Sequence, residues 1–314
     1  MVSALEPFSR DPAAARRLGS LAAEHRAGTG AESAGWVRAF EERLTAGAVE
    51  GRLFVVDGRP LGFVSWSAGN PLGVAVELLY VDGDRAGAER YGELLTTLGA
   101  VTAAPAFVPG PLAGVPASDE ARLMGSLGYR PFGRSEMLLG AGSPALLRRS
   151  GDAEGLRPVT RADLPRLAEL HASAYRGRFD RYLFLEDWDE ATDARRAVED
   201  IVNGVWGELS GAGSWLLEEQ GRPVAAVLAV RPRGGILIAD VMVEPTLQGH
   251  GLGRRVLGAA VRALWIAGER RIFLNVTEGN DRAIRLYRSL GFERSLGPTR
   301  DWYHAGRIPT PPAA

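Results

Sequence analysis

The tetrapeptide Gly-Arg-Pro-Leu at residues 58–61 returns as Gly-Arg-Pro-Val at residues 221–224, an offset of 163 residues. Each copy lies between apolar runs that read as strands, LFVV and LGFVSW in the first, WLLEE and VAAVLAV in the second. VAVELLYV (74–81) stands opposite ILIADVMV (236–243), and SDEARLMGSLGY (118–129) stands opposite DRAIRLYRSLGF (281–292) with five identities in twelve. Upstream, LEPFSRDPA resembles LRPVTRADL, each followed by an Ala/Leu/Arg helical pattern. Four matches in the same order indicate a tandem duplication. A chain written twice has to fold as two copies of one unit, which removes most architectures open to 314 residues.

Each half opens with one or two amphipathic helices, followed by three strands, a helix, a strand, a helix and closing strands. The Gly/Ser/Ala-rich stretch LLGAGSPALLRRSGDAEG, residues 138–155, reads as the boundary. The expected domains are therefore residues 1–145 and 150–314.

Two absences exclude whole chemistries. The chain has no cysteine, which removes thiol nucleophiles, disulfides, iron–sulfur clusters and cysteine–zinc sites. It also has no lysine, which removes Schiff bases and the lysine-dependent phosphate loop. The four histidines, at 25, 171, 250 and 304, are too scattered to suggest a metal site. A formal net charge of −1 argues against a nucleic-acid partner. No apolar run approaches the roughly 18 residues of a membrane span, and the first residues lack the build of a signal peptide. A cytoplasmic location is the expectation.

VEPTLQGHGLGRRVLGAAV, residues 243–261, contains three glycines two apart, then two arginines. The run before it reads as a buried strand. After Gly253 the apolar positions Val256, Leu257, Ala260, Val261 and Leu264 take helical spacing. The glycines thus lie where a strand turns into a helix, and unpaired amides with a positive helix end make an anion site there. A phosphate-bearing ligand is the natural occupant. A dinucleotide fingerprint fails, because its third glycine falls on Arg254 or Val256 depending on the start.

Gln248-Gly249-His250-Gly251-Leu252-Gly253 resembles the Q/R-x-x-G-x-G/A motif of the GNAT superfamily of acyl-CoA-dependent acyltransferases. LNVTEGNDRAIRLYRSLGF resembles the family's strand followed by N-x-x-A-x-x-L-Y-x-x-x-G-F. The resemblance covers essentially the whole second half. It implies an α+β fold, an α/β/α sandwich, with two tandem domains that are each a mixed, centrally splayed sheet flanked by helices. It further implies acetyl-CoA as cosubstrate and a small-molecule or peptide amine as acceptor. The backbone of Val241, Met242 and Val243 would contact pantetheine, and the turn from Gln248 to Arg254 would hold the pyrophosphate. Asn280 matches the family asparagine near the cofactor. Tyr287 matches the family tyrosine that protonates the leaving thiolate. The opening helices, which usually line the acceptor site, carry Tyr175, Phe179, Tyr182, Phe184 and Trp188 among six acids from Glu186 to Glu199. Within the family, mycothiol synthases share the tandem layout and similar length. An acyl-CoA-binding pseudoenzyme is the contrasting reading.

The family's strand glutamate would fall on Leu237, and a second family position for the base falls on Asn275. Asp240, Glu244 and Glu278 are nearby, but strict alternation puts Asp240 on the strand face opposite Leu237. No base is assigned. Carrying the repeat through, Gly251 faces Glu89, Gly253 faces Tyr91, Asn280 faces Ala117 and Tyr287 faces Met124. The first half is expected to keep the fold without the cofactor, although one gap would return Gly87 or Gly92 to the loop.

Overall fold

The computed structural model describes residues 3–27, 50–67, 75–82, 87–102, 105, 107–140, 154–178, 180, 190–232, 234–295 and 301–306. The chain forms two compact units, Met1–Gly133 with Thr299–Thr310, and Arg134–Pro298 with Pro311–Ala314.

The first unit contains β1 (Ser3–Glu6), α1 (Pro12–Ala27), β2 (Glu50–Val56), β3 (Arg59–Ser67), β4 (Ala75–Val81), α2 (Ala88–Thr102), β5 (Phe107–Pro109), α3 (Ala117–Ser126) and β6 (Tyr129–Phe132). Its sheet runs β1-β2-β3-β4-β5-β15-β6, where β15 is Asp301–His304 from the far end of the chain. The second unit contains β7 (Arg134–Leu139), β8 (Leu156–Pro158), α4 (Leu164–Tyr175), α5 (Glu190–Val202), β9 (Glu208–Leu209), β10 (Trp215–Glu219), β11 (Arg222–Arg231), β12 (Ile236–Val243), α6 (Leu252–Ile266), β13 (Ile272–Thr277), α7 (Asp281–Ser289) and β14 (Phe292–Arg294). Its sheet runs β14-β7-β13-β12-β11-β10-β8, with β9 on β11. Both sheets are mixed and carry helices on both faces, so the fold is α+β, written twice. The short strands β1 and β8, ahead of the opening helices, are too brief for periodicity to reveal.

The repeated Gly-Arg-Pro motif is a hairpin turn in each unit. Asp57 and Gly58 have φ of 47° and 78°, and Gln220 and Gly221 have 50° and 76°. Two consecutive positive-φ residues suit the right-handed twist of the flanking strands β2–β3 and β10–β11.

In the second unit, β11 is buried on both faces from Pro223 to Val230. Ala225, Val227 and Ala229 face the core under α6 and α7, while Ala226, Leu228 and Val230 face the core under α4 and α5. Helix α6 buries Val256, Leu257, Ala260, Val261 and Leu264, as its spacing requires, and stops at Ala267 and a positive-φ Gly268. An ion-pair cluster ties the start of the unit together. Arg157 donates to both oxygens of Asp163 at 2.8 and 2.5 Å and also reaches Glu218 at 2.8 Å, while Asp163 caps Thr160. The Arg157 guanidinium therefore holds the Asp163 carboxyl far below the usual range.

The central pair of each sheet splays. Strands β12 and β13 are parallel partners only at Ile236–Ile272 and Leu237–Phe273, although both run on for several residues. In the first unit β4 and β5 pair only at Ala75–Phe107.

The units do not divide at the glycine-rich stretch near residue 145. The break falls before Arg134, because β7 pairs along its length with β13 and also with β14. In return β15 pairs with β5 and β6. Residues 141–153, where the linker was expected, lie outside the described residues. Hydrophobic pattern marks β7 as a strand but says nothing of its partner, so sequence alone does not place the boundary before Arg134. The exchange is energetically deep. Met137 and Leu139 lie in the second unit's core, and Trp302 lies in the first unit's core with its indole N–H on Glu120 at 2.7 Å. Burying each such side chain contributes about 1.5–3 kcal/mol.

A fragment of residues 150–298 lacks β7 and leaves β13 and β14 without their partner. It is expected to show no cooperative thermal transition by circular dichroism, whereas residues 134–298 should retain one. Equal melting of both fragments would contradict this account of the core.

Candidate active site

After β12, a short turn over Pro245–Leu247 leads into Gln248–Gly251 and then α6. Gly249 and Gly251 have φ of 91° and 80°. A Cβ at either would meet nothing within 4 Å, so the demand for glycine is conformational and the space before the turn is open. Gly251 caps α6 without a side-chain bond, leaving the amides of the first turn for an outside acceptor. Gly253 faces Val243 and Leu286, with a Cβ at ordinary contact distance of 3.4 Å.

The turn opens on a groove of about 410 Å³. Val241 and Val243 of β12 line one wall, and Ala283, Leu286 and Tyr287 of α7 line the other. Arg178, Arg254, Arg282 and Arg285 stand around its mouth. Gln248 organises two of them. Its amide N–H donates to the Val243 carbonyl at 3.0 Å, and its Oε1 accepts from Arg178 at 3.0 Å and Arg282 at 2.6 Å. Arg254 is fixed by the Ser289 hydroxyl at 2.6 Å and carbonyl at 3.1 Å. A cluster of guanidiniums beside a helix N-terminus is matched to a polyanion.

Beyond the groove, where β12 and β13 part, lies a recess of about 60 Å³. Tyr175, Asp180, Val241, Asn280 and Tyr287 line both spaces, so the two meet there. Asp240, Asn275, Thr277 and Arg134 line the recess only. Asp240 reaches it through a bulge. Leu228 pairs with Asp240 and Ala229 with Ile238, so Ala239 is an extra residue in β12. Before the bulge Ile236 and Ile238 face α6; after it Val241 and Val243 do. Leu237, Ala239 and Met242 face α4 and α5. Asp240 joins that second face, where Tyr175 of α4 donates to its Oδ1 at 2.8 Å and His171 Nε2 lies 3.7 Å from its Oδ2. This corrects the expectation from alternation: Asp240 shares the face of Leu237, because one inserted residue reverses the phase of a strand.

Burial governs the charges here. Desolvation pushes the Asp240 carboxyl up, His171 opposing it, and pushes the His171 imidazole down. Burial also pushes the Tyr175 and Tyr287 phenols well up, reinforced at both by the Asp240 and Asp180 carboxylates. The ring of His171 stacks on Tyr175 at 4.5 Å between centroids.

The model of the acetyltransferase (GNAT) family matches residues 164–292. Over 145 residues the chain is 32% identical to the N-alpha-acetyltransferase RimI of Mycobacterium tuberculosis, covering 46% of this chain and 81% of that protein. The chain belongs to the GNAT family. It is also 30% identical over 146 residues to an uncharacterized N-acetyltransferase of Methanocaldococcus jannaschii. That match covers 44% of this chain and 60% of the archaeal protein, less than two thirds of its length. The crystal structure of a GCN5-related N-acetyltransferase from Sphaerobacter thermophilus aligns with a TM-score of 0.59 at 18% identity, over 96% of this chain and 93% of that one. That likeness is one of fold.

The GNAT signature residues distribute as follows. Val241, Val243, Gln248, Gly249, Gly251, Leu252, Gly253, Arg254, Asn280 and Tyr287 all line the groove. Met242 does not, since its side chain is fully buried on the α4 face of β12. His250 is exposed and bonds the Leu247 carbonyl at 3.2 Å. Asn280 caps α7 by accepting from the Ala283 amide at 3.2 Å, and its own amide donates to Asp180 at 3.2 Å. Of the carboxylates near the strand, Glu244 accepts from Ser173, and Glu278 accepts from Ser135 and Arg294. Neither lines the groove or the recess. Asp180, Arg178, Arg282 and Arg285 were not singled out from sequence. The two α7 arginines, three apart in the motif helix, were the available signal. Phe179, Tyr182, Phe184, Glu186 and Trp188 lie outside the described residues.

The first unit differs at the corresponding places. Helix α2 begins at Ala88, so Gly87 precedes it as Gly251 precedes α6, and Glu89 and Tyr91 fall two positions later than direct counting put them. Tyr91 is fully buried, its hydroxyl accepts from the Val81 amide at 3.2 Å, and burial pushes the phenol up to about 12. No side chain caps α3, and Met124, which faces Tyr287 in the sequence repeat, is buried.

Replacing Asn280 by alanine removes the cap of α7 and is expected to lower stability by about 1 kcal/mol in urea unfolding. An unchanged midpoint would mean the cap contributes nothing.

Proposed function

We propose that the second unit binds acetyl-CoA in the groove and transfers its acetyl group to a primary amine that enters through the recess. The observation that carries this reading is the junction of the two spaces at Tyr287, on the open edge of β12. The turn amides and the arginines suit the pyrophosphate, and the unpaired edge of β12 at Val241–Val243 suits a pantetheine arm that hydrogen-bonds like an added strand. The thioester carbonyl would then lie near Val241, between donor groove and recess.

Acetyl-CoA supplies an activated acyl group whose leaving atom is sulfur. Tyr287 acts as the acid for that sulfur. Its raised pKa keeps the phenol protonated at rest, and a thiolate expelled into the same desolvated space has its own proton affinity raised by the same cause. The amine of the acceptor attacks from the recess side, where carboxylates and phenols favour a cation. RimI of M. tuberculosis is named for α-amine acetylation. An α-amine is therefore one candidate acceptor here, beside side-chain and small-molecule amines.

The first unit serves as a structural partner without transfer chemistry. Met124 in place of the phenol and Tyr91 bonded to the end of β4 support that assignment. Strand β7, which follows the first unit directly in sequence and pairs within the second unit's own sheet, brings Arg134 to the recess.

Calorimetric titration of acetyl-CoA into the full-length protein is expected to give one site per chain. Gly251→Glu should abolish it, through both its strained positive φ and its charge. Tyr287→Phe should bind normally yet turn over at least about 100-fold more slowly. Two sites per chain would restore cofactor binding to the first unit. Binding without turnover of any amine would favour a pseudoenzyme.

A further inference from the structure

We infer that Asp240 is the proton acceptor for the incoming amine, standing in for the strand glutamate that Leu237 replaces. The inference rests on the transfer reading above. Among the described carboxylates of the splayed pair, Asp240 is the one on β12 that lines the recess. Asp180 also lines it, but accepts from Asn280 at 3.2 Å at the groove junction. The bulge at Ala239 is what turns Asp240 inward, onto the face that β12 would otherwise give to a neighbouring residue.

Its surroundings fit the role. Tyr175 donates to Oδ1 at 2.8 Å and the Val241 amide also bonds the carboxylate, and together they fix its plane. His171 approaches Oδ2 at 3.7 Å, too far for a direct hydrogen bond, and stacks on Tyr175. Among the described residues, the other charged or titratable groups facing the recess are Asp180 after α4, Tyr287 from α7 and Arg134 from β7. Tyr175 and His171 are positioning residues: both favour the ionised form of Asp240, one by a hydrogen bond and one by charge when protonated. Burial works against them and raises the carboxyl above the usual aspartate range, which strengthens it as a proton acceptor.

The proton count closes. An ammonium gives one proton to Asp240 and gains a lone pair. The nitrogen–carbon bond forms and the carbon–sulfur bond breaks, with the Tyr287 proton moving to sulfur. The second nitrogen proton restores the phenol, and the proton on Asp240 leaves to solvent. One proton is released per acetyl transferred.

The test uses the full-length protein with acetyl-CoA and methylamine, the smallest primary amine, with an unblocked peptide beside it. For the wild type, kcat/KM should be flat from the Asp240 limb up to the amine pKa. Asp240→Asn should keep acetyl-CoA affinity and melting temperature but fall at least about 100-fold at pH 7. Its rate should then climb tenfold per pH unit toward the amine pKa of roughly 8 to 10, because the amine must now deprotonate unaided. Tyr175→Phe and His171→Gln should fold normally and move the acid limb to higher pH, a shift that a merely structural role would not produce. Asp240→Asn with wild-type rate and profile would overturn the assignment while leaving the transfer reading intact. Acetyl-CoA binding with no acceleration of either amine by the wild type would overturn the transfer reading, and this assignment with it.

Discussion

Parallel strands normally satisfy one another's backbone groups, and β12 and β13 stop doing so after two residues. The edge of β12 that this exposes is costly if buried dry, because every unpaired amide and carbonyl needs a partner. The rest of the second unit is arranged around that gap. The glycine turn begins where β12 ends, α7 is capped beside β13, and α4 brings Tyr175 and His171 over the opening. Groove and recess are the two ends of one separation, and the residues that line both are those nearest the parting point. The first unit splays too, with the Tyr91 hydroxyl taking the last amide of β4. One geometry thus has a filled form and an open one in the same chain.

The bulge at Ala239 acts on the same strand. Without it, Asp240 would point into the core beneath α6, where an ionisable group among Val256, Leu257 and Val261 would be strongly disfavoured. With it, the carboxylate reaches a recess lined by the Tyr175 and Tyr287 phenols, with the His171 imidazole 3.7 Å away. A bulge in a central strand gives up a ladder bond and gains a redirected side chain. That single insertion adds a buried carboxylate to a recess already lined by Arg134, Asn275, Thr277 and Asn280.

The exchanged strands add a second dependence. Strand β7 supplies two buried side chains to the second core and Arg134 to the recess, so residues encoded before the glycine-rich stretch complete the sheet that follows it. In return β15 brings Trp302 against Glu120 in the first core. Duplication alone would allow either half to be lost. Exchange makes each sheet depend on both.

Much was readable in the residues themselves. The repeat, the strand–glycine–helix order around Gly251, and the motif of α7 with Asn280 and Tyr287 depend on periodicity, positive φ and capping, which are properties of neighbours in sequence. Pairing is not such a property. Nothing in SEMLL at 135–139 distinguishes a strand that closes its own sheet from one that completes another, so the expected boundary near 145 stood on composition alone. Alternation likewise assigned Asp240 to the wrong face, since a bulge is defined by the register of β12 against β11. The local chain determined the fold's elements and its glycine turn. Which strands meet, where they part, and which way one aspartate points were decided by tertiary pairing, because those are relations between segments far apart in the chain.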